Sequence, residues 1–224
     1  MKRTINRLLG LFNKEVRATH APLQTFERGI QCLRGIDIEV VVDVGVAHGT
    51  PELYRAYQGK KFLLVEANPA FEGAVRAWAD KLGAKVAMVF CGEKEGTEVL
   101  RIWSAQSGSK FAYEGRGVKQ ELSVPTTTLD VLMEQNGLRG STLLKVDAEG
   151  AEMEVLRGAT ETLKHCKAII MELHFLQGYI GQAPAEELID FLYGQGFRIY
   201  NIMEGGGIDK HGRLSHADFI FVRN

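Results

Sequence analysis

The feature that most constrains this chain is a regular alternation of short apolar runs with segments that begin as helices begin. Glu39–Val44, Lys61–Val65, Lys85–Phe90, Leu143–Val146 and Ala168–Leu173 are too short for helices and rich in β-branched residues, as strands buried on both faces must be. Helix starts fall between them. Thr50-Pro51-Glu52 places a capping hydroxyl before a proline at the first helical position, and Asn68-Pro69 repeats the signal for a helix running to about Leu82. Thr127-x-x-Asp130 resembles a capping box ahead of a short helix to Gln135. Ala151–Leu163 reads as a helix bent or restarted near Gly158, and Pro184–Glu187 opens another that stops near Gly194. Such alternation predicts a mostly parallel sheet covered by helices on both sides. Two features interrupt it. Val99–Trp103 and Leu122–Val124 predict an inserted strand pair around a polar loop, and Arg198–Ile202 and Asp218–Val222 predict two terminal strands joined through Gly205-Gly206-Gly207.

Composition narrows the classes. The chain has 224 residues, enough for one domain with a substantial core, and a net charge of −1, which predicts no nucleic-acid surface. Cys32, Cys91 and Cys166 are odd in number and widely spaced, so a disulfide framework is not expected and a reducing, cytoplasmic setting is. Residues 1–22 stand apart from the domain expected over 23–224. Ile5, Leu8, Leu9, Phe12 and Val16 recur at helical spacing among Lys2, Arg3, Arg7, Lys14 and Arg17. Such a stripe packs on its own domain as a lid or homodimer contact, or lies peripherally on an anionic membrane.

The chemistry concentrates where predicted strands end. The first ends Asp43-Val44-Gly45-Val46-Ala47-His48-Gly49, and ligands of open α/β sheets bind beyond such ends. The glycines lack the G-x-G-x-x-G spacing that seats a pyrophosphate on a helix N-terminus. Asp43 ahead of Gly45 instead suits a nucleoside ligand with an amino group and no phosphate, such as S-adenosylmethionine (SAM). Glu66, ending the second strand, stands where an acid accepts hydrogen bonds from ribose hydroxyls, a position that nicotinamide enzymes use as well. Val46, His48, Gly49, Ala67, Asn68 and Ala148 are expected to complete the cofactor contacts, with Cys91 and Gly92 beside the adenine. The fourth strand leads into Asp147-Ala148-Glu149-Gly150-Ala151-Glu152. A helix N-terminus accounts for Glu152 and offers the same account for Glu149. Asp147 precedes the helix and is the best candidate active-site acid.

Lys145-Val-Asp147-Ala-Glu149-Gly150-Ala-Glu152, followed by Leu156-Arg157-Gly158-Ala159, resembles the K-x-D-x-E-G-x-E and L-x-G-A signature of the FkbM family of SAM-dependent methyltransferases. Thr128-Leu129-Asp130 resembles that family's T-L-D, and the likeness runs from about Val41 to Val222. At Val46, Ala47 and His48 the chain departs from the family's usual D-x-G-A-N-x-G. The resemblance implies a Rossmann-like class I methyltransferase fold: a mostly parallel seven-stranded sheet with a C-terminal antiparallel hairpin. It also implies O-methylation, with no acceptor specified.

Methyl transfer from a sulfonium gains most from proximity and alignment, and a hydroxyl acceptor must also lose a proton. Asp147, Glu172 and His174 end adjacent predicted strands, and His174 has the ordinary pKa nearest neutrality. The same three could hold a divalent metal, although no metal is expected. Ser107, Ser109 and Lys110 of the inserted loop are candidate contacts for a small-molecule or glycan acceptor. Two other readings remain: an NAD(P)-dependent oxidoreductase on a related sheet, to which a misplaced Tyr57-x-x-x-Lys61 pair lends little, and a non-catalytic SAM-fold binding protein.

Overall fold

The computed structural model describes residues 25–104, 107–115, 117–176 and 178–223. The amphipathic stripe expected over residues 1–22 lies outside them. Elements run in the order α1 (Phe26–Gln31), β1 (Val40–Val44), α2 (Pro51–Ala56), β2 (Lys61–Val65), α3 (Glu72–Leu82), β3 (Lys85–Ala87), β4 (Phe90–Cys91), β5 (Gly96–Ser104), β6 (Ser107–Ser109), β7 (Gln120–Thr127), α4 (Leu129–Gln135), β8 (Thr142–Val146), α5 (Glu152–Arg157), α6 (Thr160–His165), β9 (Cys166–His174), α7 (Ala185–Gly194), β10 (Phe197–Gly205) and β11 (His216–Arg223).

Seven strands form the main sheet in the order β10-β11-β9-β8-β1-β2-β3. β1 pairs in parallel with β2 and β8, and β8 with β9. β11 runs antiparallel to both β9 and β10, which is the expected C-terminal hairpin. Strand order therefore turns back between β1 and β8, and a crevice opens at their carboxyl ends. The unbroken apolar runs follow from burial on both faces. Val40, Val42 and Val44 pack into one layer with residues of α4 to α7, while Val41 packs into the other with Ile30, Leu53 and Val75.

Several local expectations are corrected. The expected third strand divides: β3 joins the main sheet, whereas Phe90 and Cys91 cross to a second sheet. That sheet has four strands, β4-β7-β5-β6, built around the anticipated β5–β7 pair. Asn68 caps a 3-10 turn, Pro69–Phe71, before α3 begins at Glu72. Thr50 stands at the N-cap of α2 without a cap hydrogen bond, and its hydroxyl donates to Asp43 (3.0 Å). Thr128, not Thr127, caps α4 by accepting from Val131 N. The restart at Gly158 is real. The Asp130 carboxylate caps the new helix α6, accepting from the backbone N–H and hydroxyl of Thr162 (2.7 and 2.6 Å) and from the N–H of Glu161 (2.9 Å). The Asp130 of the T-L-D sequence thus ties α4 to α6.

Candidate active site

A cleft of about 660 Å³, open solvent included, lies at the carboxyl ends of β1, β2 and β8. Gly45, Ala47, Glu66, Ala67, Asn68, Cys91, Asp147, Ala148 and Glu149 line it, with an apolar wall of Phe71, Val89, Phe90 and Leu100. The loops after β1, β2 and β8 therefore converge as the strand-end reading required.

Backbone geometry shapes the cleft. Gly45 has φ +80°, and a Cβ there would run into the Asp147 carbonyl oxygen. Ala47 and Glu149 are the non-glycine residues with positive φ among those described, +46° and +51°, and both line the cleft. Each conformation costs about 1–2 kcal/mol and persists only where surrounding contacts enforce it. For Ala47 the enforcing contact is Glu66, whose Oε2 accepts the Ala47 N–H (2.8 Å) while Oε1 accepts the Asn68 N–H (2.7 Å). Burial raises the Glu66 pKa from the usual carboxylate range, opposed by these two donors. Each oxygen keeps a second lone pair, so a fixed carboxylate remains able to accept from a pair of hydroxyls.

Asp43 corrects the expectation that it faces a ligand. It is fully buried, and its Oδ2 accepts from the hydroxyls of Tyr54 (2.6 Å) and Thr50 (3.0 Å). Its Oδ1 stands 3.2 Å from Lys145 Nζ. Lys145, also buried, reaches Asp147 at 3.4 Å on its other side. Burial opposes the ammonium charge, but the two carboxylates outweigh it and hold its pKa above the ordinary lysine range. Lys145 thereby links the core acid to the cleft acid. Asp147 is crowded by surrounding protein yet keeps 40% of its side chain exposed, the face it turns to the cleft. Burial raises its pKa, and Lys145 opposes the rise.

Other expected cofactor contacts lie off the cleft wall. Val46 is buried in the apolar layer under β1. His48 sets its ring edge-on to Phe71, and its carbonyl accepts from Trp78 Nε1 (2.9 Å). Gly49 packs against Trp78, leaving no room for a Cβ, and Gly92 lies against Gly158. Cys91 does line the cleft, and burial pushes its thiol up to about 12.

The acceptor candidates separate in the same way. Ser109 lines the cleft and donates to the Glu149 carbonyl (2.6 Å). Ser107 opens strand β6. Lys110 is turned away, held by Glu98 (2.7 Å) and Glu154 (2.9 Å). Glu172 and His174 also fall outside the wall and form a cluster of their own. Glu172 Oε2 lies 2.9 Å from His174 Nε2, and Oε1 lies 3.3 Å from Nε2 of His216. Burial would lower the His174 pKa, but the Glu172 carboxylate outweighs it and raises the pKa. Among the described residues no group of three or more His, Cys, Asp or Glu is arranged to hold a metal.

Sequence reasoning missed His216 and Glu149. His216 reaches Glu172 through the β9–β11 pairing, which sequence spacing does not disclose. Glu149 was signalled by Glu152, whose Oε1 accepts from the N–H groups of Ala148 (3.1 Å) and Gly150 (3.0 Å), on either side of it. Glu152 therefore closes the loop on itself and is more than a helix-terminal charge.

Comparison with known proteins now decides the family. The methyltransferase FkbM domain matches residues 43–199, well over half of the chain and the whole of the cleft-forming part. The chain belongs to this family. Over 71 residues this FkbM-family chain is 35% identical to the 2-O-methyltransferase NoeI of Sinorhizobium fredii (strain NBRC 101917 / NGR234), a match covering 32% of this chain and 29% of that one. The chain thus spans under a third of the length of that relative. Among solved structures, the cofactor-bound Rv0187 from MTB shares the fold: TM-score 0.53, 9% identity, 88% of this chain and 79% of that one covered. The O-methyltransferase TomG of Streptomyces achromogenes, solved with SAM, aligns over 99% of this chain and 89% of its own at TM-score 0.49 and 11% identity.

Proposed function

We propose that this FkbM-family protein transfers the methyl group of SAM to a hydroxyl of a sugar, a glycan or glycolipid, or a small metabolite. The observation that carries the reading is Glu66: a buried carboxylate, fixed by two backbone N–H groups, facing a cleft that Asp147 and Glu149 also line. The residues present fit SAM. Glu66 accepts from the ribose, the wall of Phe71, Val89, Phe90 and Leu100 takes the flat adenine, and the carboxyl end suits a cationic group. When bound, SAM supplies an electrophilic methyl group for in-line displacement.

The chain's own residues do the rest. Gly45 and Ala47 bring backbone close to the ligand, and the apolar wall excludes water. Asp147, which turns an open face to the cleft, takes the acceptor's proton as the new O–CH₃ bond forms. Glu172 and His174, paired outside the cleft wall, add charges that act on Asp147 and Glu149. Hydroxyl chemistry is supported by the name of the relative, a 2-O-methyltransferase. No helix among the described residues is long and apolar enough to cross a membrane. The basic stripe of residues 1–22 would serve a membrane-borne glycolipid acceptor.

The test has two parts. Titration calorimetry with SAM, its demethylated product and NADH should show binding of the first two alone. Incubation with deuteromethyl-SAM and a panel of oligosaccharides should then yield products heavier by one labelled methyl, located by fragmentation. Binding of NADH in place of SAM would overturn the reading.

A further inference from the structure

We propose that Glu149 is the counter-charge to the sulfonium of SAM, and that the cleft therefore holds the methylated cofactor more tightly than the demethylated product. The proposal rests on the reading of the cleft as a SAM site.

Glu149 is forced toward the cleft from both sides of its backbone. It holds φ +51°, followed by Gly150 at φ +96°, and Glu152 ties down the N–H groups that flank it. Its own carbonyl accepts the Ser109 hydroxyl at 2.6 Å, so β6 of the inserted sheet fixes the residue from above. The carboxyl that results lines the cleft and has no hydrogen bond or ion pair with any described residue.

The cations within reach are already engaged. Lys145 lies between Asp43 and Asp147, Lys110 is held by Glu98 and Glu154, and His174 is paired with Glu172. The acids facing Glu149 are Asp147 before it, Glu152 from α5 and Glu172 from β9, with His174 of β9 the opposing charge. Burial, then the charges of Asp147 and Glu172, push the Glu149 carboxyl up to about 8. Burial and these charges thus favour the protonated carboxyl in the unliganded cleft.

A mostly buried carboxyl without a partner is costly unless something completes it. The two cofactor forms differ by one unit of charge at one atom: SAM carries a sulfonium, and its product carries a neutral thioether. With the ribose on Glu66, the other acids lining the cleft are Asp147 and Glu149. Asp147 already has Lys145 beside it, whereas the cation acting on Glu149, His174, is paired with Glu172, so Glu149 is the acid left to meet the added charge. A sulfonium beside it stabilises the carboxylate and expels its proton. Once the methyl group has left, the carboxyl regains a proton and the product is held less firmly.

Calorimetry in two buffers of different ionisation enthalpy counts the protons. At pH 7 the wild-type chain should release close to one proton on binding SAM and almost none on binding the demethylated product. It should also prefer SAM by roughly tenfold or more. In Glu149→Gln the proton release should vanish and the preference fall toward unity, with affinity for the product little changed. The wild-type proton count needs no variant and decides the matter even if the variant folds poorly. Equal affinities, no proton release, or an unaltered preference in Glu149→Gln would overturn the role of Glu149 while leaving the methyltransferase reading intact. Failure of both ligands to bind the wild type would overturn both.

Discussion

Gly45 and Asp147 meet backbone to backbone: the N–H of Asp147 donates to Val44 O (3.0 Å), and the Asp147 carbonyl occupies the space a Gly45 side chain would need. This contact joins the loops after β1 and β8 and sets the width of the crevice between them. Gly45→Ala adds a methyl group against a carbonyl and a Cβ at φ +80°. The expected loss is about 2–4 kcal/mol, since neither backbone can yield without disturbing its strand. Thermal melting should fall by several degrees and SAM binding should be lost. A variant that melts and binds as wild type would show that the two loops can separate freely.

Glu66→Ala removes both the proposed ribose acceptor and the group that holds Ala47 and Asn68. SAM affinity measured by calorimetry should drop at least tenfold, about 1.4 kcal/mol. Undiminished affinity would remove Glu66 from the site.

Lys145→Met leaves the buried Asp43 with two hydroxyl donors and no counter-charge. Breaking a buried pair from one side costs about 3–5 kcal/mol. The urea midpoint should fall accordingly, and Asp43→Asn in the same chain should recover part of the loss. If the double variant were as unstable as the single one, the ion pair would not be the source.

The acids of the site also set a pH dependence. Folded Glu149 is raised to about 8, chiefly by burial, and Asp218, opposite Glu172 on β11, is raised to about 7 by burial and then by Asp147 and Glu172. Both start from ordinary carboxylate values near 4 in the unfolded chain. The folded state thus binds these protons more tightly, so their contribution to stability is complete below about pH 4 and is lost as pH rises through about 7 and 8. The urea midpoint should decline between pH 5 and pH 8. Glu149→Gln and Asp218→Asn should each flatten the slope, and a slope unchanged in both would assign it to other groups.

Much of this was legible along the chain. Two-sided burial of β1, β2, β8 and β9 shows as unbroken apolar runs, the restart at Gly158 shows as a glycine within a helical pattern, and Glu66 shows as an acid at a strand end. The division of the third strand was not legible, because Phe90 and Cys91 are as apolar as Lys85–Ala87 and only the partner strand differs. The inserted sheet was seen as two strands because β6 and β4 are only three and two residues long.

What the sequence determined is therefore local: where strands and helices begin and end, which positions require glycine, and that acids gather at the carboxyl edge of the sheet. The tertiary structure alone decided which acids meet the cleft. Asp43 and Asp147 end neighbouring strands, yet one is enclosed by Tyr54, Thr50 and Lys145 while the other keeps an open face. An acid's partners are fixed by elements far away in the chain, and a charge keeps its freedom to act on a ligand only where the fold supplies no internal counter-charge.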